Sequence, residues 1–311
     1  MLRRTFIAMM AAAGSGALGW AVPAHAQQTP VRGGVLTAIV TPEPVTLTAA
    51  ANTAAPTGLI SGNIFDGLLE YGTDLTPRPA LAESWEVAPD GLSITFKLRQ
   101  GVKWHDGTPF TSADVAWSLE NVWKTLHPRN QATFEHVTTV EIPDDDTVIF
   151  RLAKPSLAIM SSLNSNGAQI LPKHIYDGTD VLNNPANQQP IGTGAFRFKE
   201  WRRGEYIALE RNPDYWDEGK PYVDELIFRV VPDAAARSAM LESGEAQYAV
   251  FSPVSLRDAE RLSALDTLEI ETSGYEWVSP FLYIDLNVEN EYLKDVRVRQ
   301  AIAHAIDKEA L

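Results

Sequence analysis

The sequence predicts a mixed α and β fold. Three stretches read as β-hairpins, with alternating apolar residues on either side of a turn signal, and three read as helices opened by capping residues. The two kinds are interspersed, and neither a repeat period nor a Gly/Ser-rich linker separates them.

The chain begins "MLRRTFIAMMAAAGSGALGWAVPAHA", in which Arg3 and Arg4 precede an Ala/Gly-rich apolar stretch that ends in Ala24-His25-Ala26. This is the layout of an export signal cleaved after Ala26, and the arginine pair gives it a twin-arginine character, although Leu2 stands where that pattern usually has Ser or Thr. Residues 1–26 are therefore set aside from the fold. Gly14, Gly16, Gly19 and Pro23 would weaken a core helix there.

"GGVLTAIV" (33–40) reads as a buried strand, and "TPEPVTLTAAANTAAPTG" after it as an extended segment or loop. In "SGNIFDGLLEYG" the apolar residues Ile60, Ile64, Phe65, Leu68 and Leu69 follow helical spacing, so a helix ending at Gly72 is expected. The first hairpin is "SWEVAPDGLSITFKL", turning at Pro89-Asp90-Gly91. "GVKWHDGTPFTSADVAWSLE" then places an Asp-Gly turn before a helix. Thr111 and Asp114 have the spacing of a capping box, Phe110 and Val115 that of a hydrophobic staple, and Val115, Leu119, Val122 and Trp123 form the buried stripe. The second hairpin is "TTVEIPDDDTVIFRL", turning at Pro143 to Asp146, and the third is "AFRFKEWRRGEYIALERN", turning near Arg203-Gly204. Asp233 opens a helix that stops at Gly244. Asp295 opens another, on which Val298, Ile302, Ala305 and Ile306 share a face.

Composition narrows the function classes. The chain has 311 residues, 45% of them apolar, enough to bury a full core. No apolar run in its body is long enough to span a bilayer. Without cysteine there is no disulfide, thiolate ligand, cysteine nucleophile or lipid-modified cysteine, so the exported protein is not expected to be a lipoprotein. The formal charge is −14; the leader contributes Arg3 and Arg4 and no acid, so the remainder carries −16. Such acidity disfavours nucleic acid as a partner.

The polar constellations read as architecture. His105-Asp106 has no further histidine at a metal-site spacing and no accompanying nucleophile motif. "IGTGAF" (191–196) resembles a phosphate loop in its glycines, yet it leads into the alternating "FRFKEW", a strand and not a helix. "PDDD" lacks the twelve-residue calcium loop, and "EWRRGE" sits at a turn between glutamates. "SGYEWVSPFLYIDLN" (273–287) concentrates five aromatics, a composition that suits a cleft wall or a core. No cofactor, metal site or catalytic residue is expected.

The longer stretch "NIFDGLLEYGTDLTPRPALAESWEVAPDGLSITFKLRQGVKWHDGTPFTSADVAWSLE" resembles the signature region of the family 5 extracellular solute-binding proteins, the peptide- and nickel-binding receptors of ABC importers. "PIGTGAFRFKEW", "LERNPDYWDEGKPYVDELIFRVV", "AMLESGEAQYAV" and "DLNVENEYLKDVRVRQAIAHAIDKEAL" extend the resemblance, in the family's order, over nearly all of residues 33–311.

The resemblance implies a periplasmic-binding-protein type II-like fold with three lobes and a ligand cleft. Residues 27–56 and 191–278 would form lobe I, 57–190 lobe II, and 279–311 the start of lobe III. It implies a monomeric, periplasmic, non-enzymatic receptor that closes over a di- or oligopeptide and delivers it to permease subunits in the inner membrane. Nickel chelates or oligosaccharides are the alternatives within the family. Val40, Thr41, Pro42 and Glu43 match the stretch that faces the ligand backbone, and Tyr275, Trp277 and Tyr283 are candidate aromatic walls. On this alignment the chain stops inside the third lobe, so a truncated product without binding of its own is a further reading, and an exported hydrolase the reading from a different class.

Overall fold

The computed structural model describes residues 30–251, 253–271 and 284–307. Two sheets organise it. The first has five strands in the order β11-β1-β10-β9-β8, built from β1 (Val35–Val40), β8 (Phe196–Arg202), β9 (Tyr206–Arg211), β10 (Glu225–Val230) and β11 (Tyr248–Ala249). β1 runs parallel to both β10 and β11, whereas β10, β9 and β8 are mutually antiparallel. The second sheet is antiparallel, in the order β4-β5-β7-β6, from β4 (Ala82–Val87), β5 (Ser93–Leu98), β6 (Val137–Asp144) and β7 (Thr147–Leu152). A small ribbon pairs β2 (Leu69–Tyr71) with β3 (Pro77–Pro79).

All three expected hairpins form. In the first, Trp85 lies opposite Phe96 and Val87 opposite Ile94. The turn is closed by Gly91 at φ +69° and by the Asp90 carboxylate, which accepts from the Leu92 N–H at 2.9 Å. The second turn is tighter than expected, because Pro143 and Asp144 remain in β6 and the reversal falls at Asp145-Asp146. Gly204, at φ +74°, reverses the third.

The helix expected over 61–72 is corrected. The chain is helical earlier, in α1 (Ala55–Ser61), with Pro56 in its first turn inside the stretch read as extended, and Leu69–Tyr71 is the strand β2. Ile60, Ile64, Phe65, Leu68 and Leu69 are nevertheless all buried, so their spacing recorded burial and not helix. Close backbone approach explains why. A Cβ on Gly67 would lie 2.4 Å from the Leu163 carbonyl oxygen, so this stretch passes too near its neighbours for a regular helix with side chains.

α2 (Ser112–Ser118) starts as expected. Asp114 accepts from the Thr111 N–H at 3.0 Å, and Phe110 and Val115 are buried together. Its continuation, Leu119–Trp123, widens to bonds spanning five residues, with the Lys124 N–H on the Leu119 carbonyl at 3.0 Å. The wider turn keeps Leu119, Val122 and Trp123 in the core, where the Trp123 Nε1–H donates to the Gln169 carbonyl at 2.8 Å.

Short helices α3 (Asn130–Phe134), α4 (Ala158–Ser162) and α5 (Lys173–Tyr176) complete this side. α6 (Ala234–Ser243) is capped by Asp233, which accepts from the Ala236 N–H at 2.8 Å, and ends at Gly244 in the left-handed region. It is followed by α7 (Leu256–Ser263) and α8 (Val296–Ala305), the latter capped by Asp295. The face of Val298, Ile302 and Ile306 on and after α8 is half-buried to exposed among the described residues.

One continuous core runs through both sheets. It includes Ala38, Val40, Leu209 and Phe228 from the first, and Phe96, Phe150, Trp123 and Phe134 from the second and its helices. Phe96 and Phe150 pack at 5.2 Å between ring centroids, Trp123 and Phe134 at 5.1 Å. Burial of each such side chain is worth about 1.5–3 kcal/mol, so the rings dominate the cohesion of this region.

Candidate functional site

β1, β10 and β11 are parallel and therefore present their carboxyl ends on one edge of the sheet. Val40 lies opposite Val230, and Ile39 opposite Ala249. β1 then leaves into the long segment that carries the second sheet, while β10 leaves into α6 and returns as β11 on the other side of β1. In open α/β sheets ligands bind outside the carboxyl ends of the strands, at the point where the connections depart in different directions.

The stretch 40–43 stands at that edge. The Val40 side chain is buried and its carbonyl accepts from the Val231 N–H at 3.3 Å, so its contribution toward the edge is backbone. Thr41 is half-buried, Pro42 is exposed, and the bond between them is cis. Glu43 is tied down. It accepts from the Trp201 Nε1–H at 2.9 Å and from the Gly204 N–H at 3.1 and 3.2 Å, which locks this stretch to the tip of the β8-β9 hairpin. The Arg203 guanidinium stacks on Trp201 at 3.4 Å from the ring centroid, and Arg202 pairs with Glu200 at 2.7 Å, so both arginines of the turn are engaged locally. Tyr275, Trp277 and Tyr283 lie outside the described residues.

The other polar constellations hold the two sheets together. The His105 Nε2–H donates to the Gly194 carbonyl at 3.0 Å, and Nδ1 accepts from the Gly192 N–H at 3.2 Å. Burial lowers the His105 pKa to about 4, so the ring is neutral at pH 7 and suits this donor-acceptor role. The glycines of "IGTGAF" are required by close approach, since a Cβ on Gly192 would lie 1.8 Å from the Ile64 carbonyl oxygen. The loop does feed a strand, β8, and the Gly194 N–H donates to Ile64 at 2.8 Å.

Sequence reasoning missed Asp66, whose Oδ2 accepts from Thr193 Oγ1 and Trp216 Nε1, each at 2.9 Å. Shielding from water raises its pKa to about 6, against the lowering effect of its hydrogen bonds to Trp216, Thr193 and Tyr215. Asp66 and Tyr215 also line a cavity of about 390 Å³ beside β2 and the 164–166 loop. Gly62, Gly67 and Gly72, regularly spaced on that wall, were the available signal, since three glycines contradict a helix. Among the described residues, no three or more His, Cys, Asp or Glu gather as a metal site.

Residues 76–311 match the profile of the bacterial extracellular solute-binding proteins, family 5. The chain belongs to this family. It is 33% identical over 288 residues to the oligopeptide-binding protein AppA of Bacillus subtilis, covering 91% of this chain and 51% of that one. To the dipeptide-binding protein of Escherichia coli it is 30% identical over 270 residues, 80% of this chain and 49% of the relative. The chain thus spans about half the length of the curated relatives it matches.

Solved structures agree. The Bacillus subtilis AppA structure, in complex with a nonapeptide, superposes with a TM-score of 0.77 at 32% identity, covering 91% of this chain and 55% of that one. NikZ of Campylobacter jejuni, in complex with Ni(L-His), gives 0.73 at 28% identity, covering 89% and 54%. The fold of this family 5 chain is the mixed α/β fold of periplasmic binding proteins, over about half of those structures.

Proposed function

We propose that the protein is the substrate-binding component of an ABC importer, that it binds di- or oligopeptides, and that it hands them to a membrane permease without chemical change. The observation that carries this reading is the edge formed by the parallel carboxyl ends of β1, β10 and β11, with residues 40–43 standing on it in a chain of this family. Backbone groups of a stretch that has left the sheet, as 41–43 has beyond the end of β1, can pair with an extended peptide whatever its side chains, which would give affinity with broad tolerance of sequence.

The division into lobes belongs to the same proposal. The strands of the five-stranded sheet come from 35–40 and 196–249, and those of the four-stranded sheet from 82–152, which supports lobe I as 27–56 with 191–278 and lobe II as 57–190, with lobe III beginning at 279. Closure over ligand is driven only by tighter binding to the closed form. Moving a population from 1:99 to 99:1 takes about 5.5 kcal/mol of differential affinity. Export with cleavage after Ala26, a monomeric state and a periplasmic location complete the reading.

The likeness to NikZ makes a nickel chelate the second reading. Calorimetric titration of the purified protein with a dipeptide, a nonapeptide and Ni(L-His) separates them. Peptide binding with a negative heat-capacity change is the expected result. Saturation by Ni(L-His) with no response to either peptide would sink the peptide reading.

A further inference from the structure

The cavity of about 390 Å³ shares no residue with 40–43. It opens between β2, the turn after it, the 164–166 loop and Tyr215. Its walls combine two carboxylates, Asp66 and Glu70, with two aromatic rings, Tyr71 and Tyr215, and with the apolar side chain of Leu75, which sits in the left-handed region at φ +59°.

The hydrogen bonding on that wall is incomplete. Asp66 Oδ2 accepts two bonds at 2.9 Å, but Oδ1 has only the Tyr215 hydroxyl at 3.4 Å, beyond the range of a good O–H···O bond. A carboxylate oxygen has two acceptor positions, so Oδ1 keeps capacity for a further donor. Arg78 stands across the β2-β3 ribbon from Glu70, and Lys220 lies within electrostatic reach of it, but their ion pairs are with other acids. Lys220 pairs with Asp217 at 2.6 Å and Arg78 with Asp74 at 3.7 Å, and among the described residues neither Asp66 nor Glu70 is in an ion pair. With its pKa raised to about 6, Asp66 is ionised at pH 7.5, and a donor inside the cavity would relieve its desolvation.

These features select a ligand chemistry. The space far exceeds a bare ion. An ammonium group brings three donors and a positive charge for the two carboxylates, and tyrosine rings attract cations through their faces. Leu75 and the rings accommodate a carbon body. We propose that this cavity binds the ammonium group of a small organic amine, with Asp66 Oδ1 and Glu70 as anionic partners and Tyr71 and Tyr215 as walls.

Calorimetry at pH 7.5 on the whole chain, with benzylamine and its neutral isostere benzyl alcohol as probes, tests this. Benzylamine should bind at least about tenfold more tightly than benzyl alcohol, as expected for a hydrogen bond to a charged group. Glu70→Gln, at an exposed position, should weaken benzylamine by about two- to fivefold and leave the alcohol unchanged. Equal affinities for the two probes, no binding of the amine, or a Glu70→Gln chain indistinguishable from the parent would overturn the proposal. Saturating peptide should leave the benzylamine isotherm unmoved, and displacement by peptide would refute a separate site. A chain that takes benzylamine and no peptide would keep this proposal while the peptide reading fails.

Discussion

The His105 imidazole reaches from the segment after β5 to the Gly194 carbonyl, 3.0 Å away on the loop that enters β8, and so pins one sheet to the other. The same ring accepts from the Gly192 N–H at 3.2 Å, and the His105 N–H donates to the Gly192 carbonyl at 2.9 Å. Two adjacent chain segments from different sheets are thus joined by side-chain and backbone bonds together.

Replacing His105 should remove that joint and change the response to pH. Its folded pKa, about 4, lies below the unfolded value of 6.5, so the unfolded chain takes up the proton first as the pH falls. The contribution of His105 to stability is full above pH 6.5, declines between 6.5 and 4, and levels off below. His105→Phe leaves the Gly192 and Gly194 backbone groups without their partner and should cost about 1–3 kcal/mol at pH 7, with a flatter dependence through this window. Urea unfolding at pH 7, 5.5 and 4.5 measures both effects.

Asp66 acts with the opposite sign. Its folded pKa of about 6 lies above the ordinary 3.8, so the folded chain holds the proton more tightly and loses relative stability as the pH rises from about 4 to 6. The slopes of Asp66 and His105 oppose each other there. Burial holds His127 at about 4 as well, so a His105→Phe chain keeps one rising contribution beside the falling one of Asp66, and adding Asp66→Asn should make its stability rise more steeply from pH 4.5 to 6. An unchanged slope in the double variant would rule out Asp66 as the source of the opposing fall.

Two glycine substitutions separate close approach from backbone conformation. Gly192→Ala puts a Cβ 1.8 Å from the Ile64 carbonyl oxygen, so the chain must shift, and we expect a loss above about 3 kcal/mol or failure to accumulate folded protein. Gly107, at φ +89°, has nothing within 4 Å of its Cβ position, and Gly107→Ala should cost only about 1–2 kcal/mol of left-handed strain. Thermal and urea melts of the two variants provide the comparison.

Asp114 does more than cap a helix. Besides the Thr111 N–H, its carboxylate accepts from the Lys173 N–H at 2.9 Å and from the Trp104 Nε1–H at 3.3 Å. Asp114→Ala should therefore cost about 3 kcal/mol, since it strands donors in a buried place, against about 1 kcal/mol for Thr111→Ala. Similar losses for both variants, in chemical denaturation, would reduce Asp114 to a simple cap.

The local elements were the legible part. Asp90-Gly91, Arg203-Gly204, the Thr111-Asp114 spacing and the caps Asp233 and Asp295 act through neighbours within a few positions, and each lies where its pattern put it. The stretch 61–72 misled because apolar spacing reports which residues are buried, and a segment wedged against Leu163 and Tyr215 buries them without being a helix. β10 passed unread as a strand, although it lies at the centre of its sheet.

What the sequence by itself determined is the mixed class, the turns and caps, the acidic composition and a resemblance that the family profile bears out. The tertiary structure alone decided that β1 lies between β10 and β11, that Glu43 holds a hairpin tip, and that Asp66 faces a cavity. The physical reason is range. Caps and turns satisfy backbone groups within one turn of chain, whereas the neighbours of Val40, Glu43 and Asp66 come from well over a hundred positions away and are chosen by the packing of the whole core.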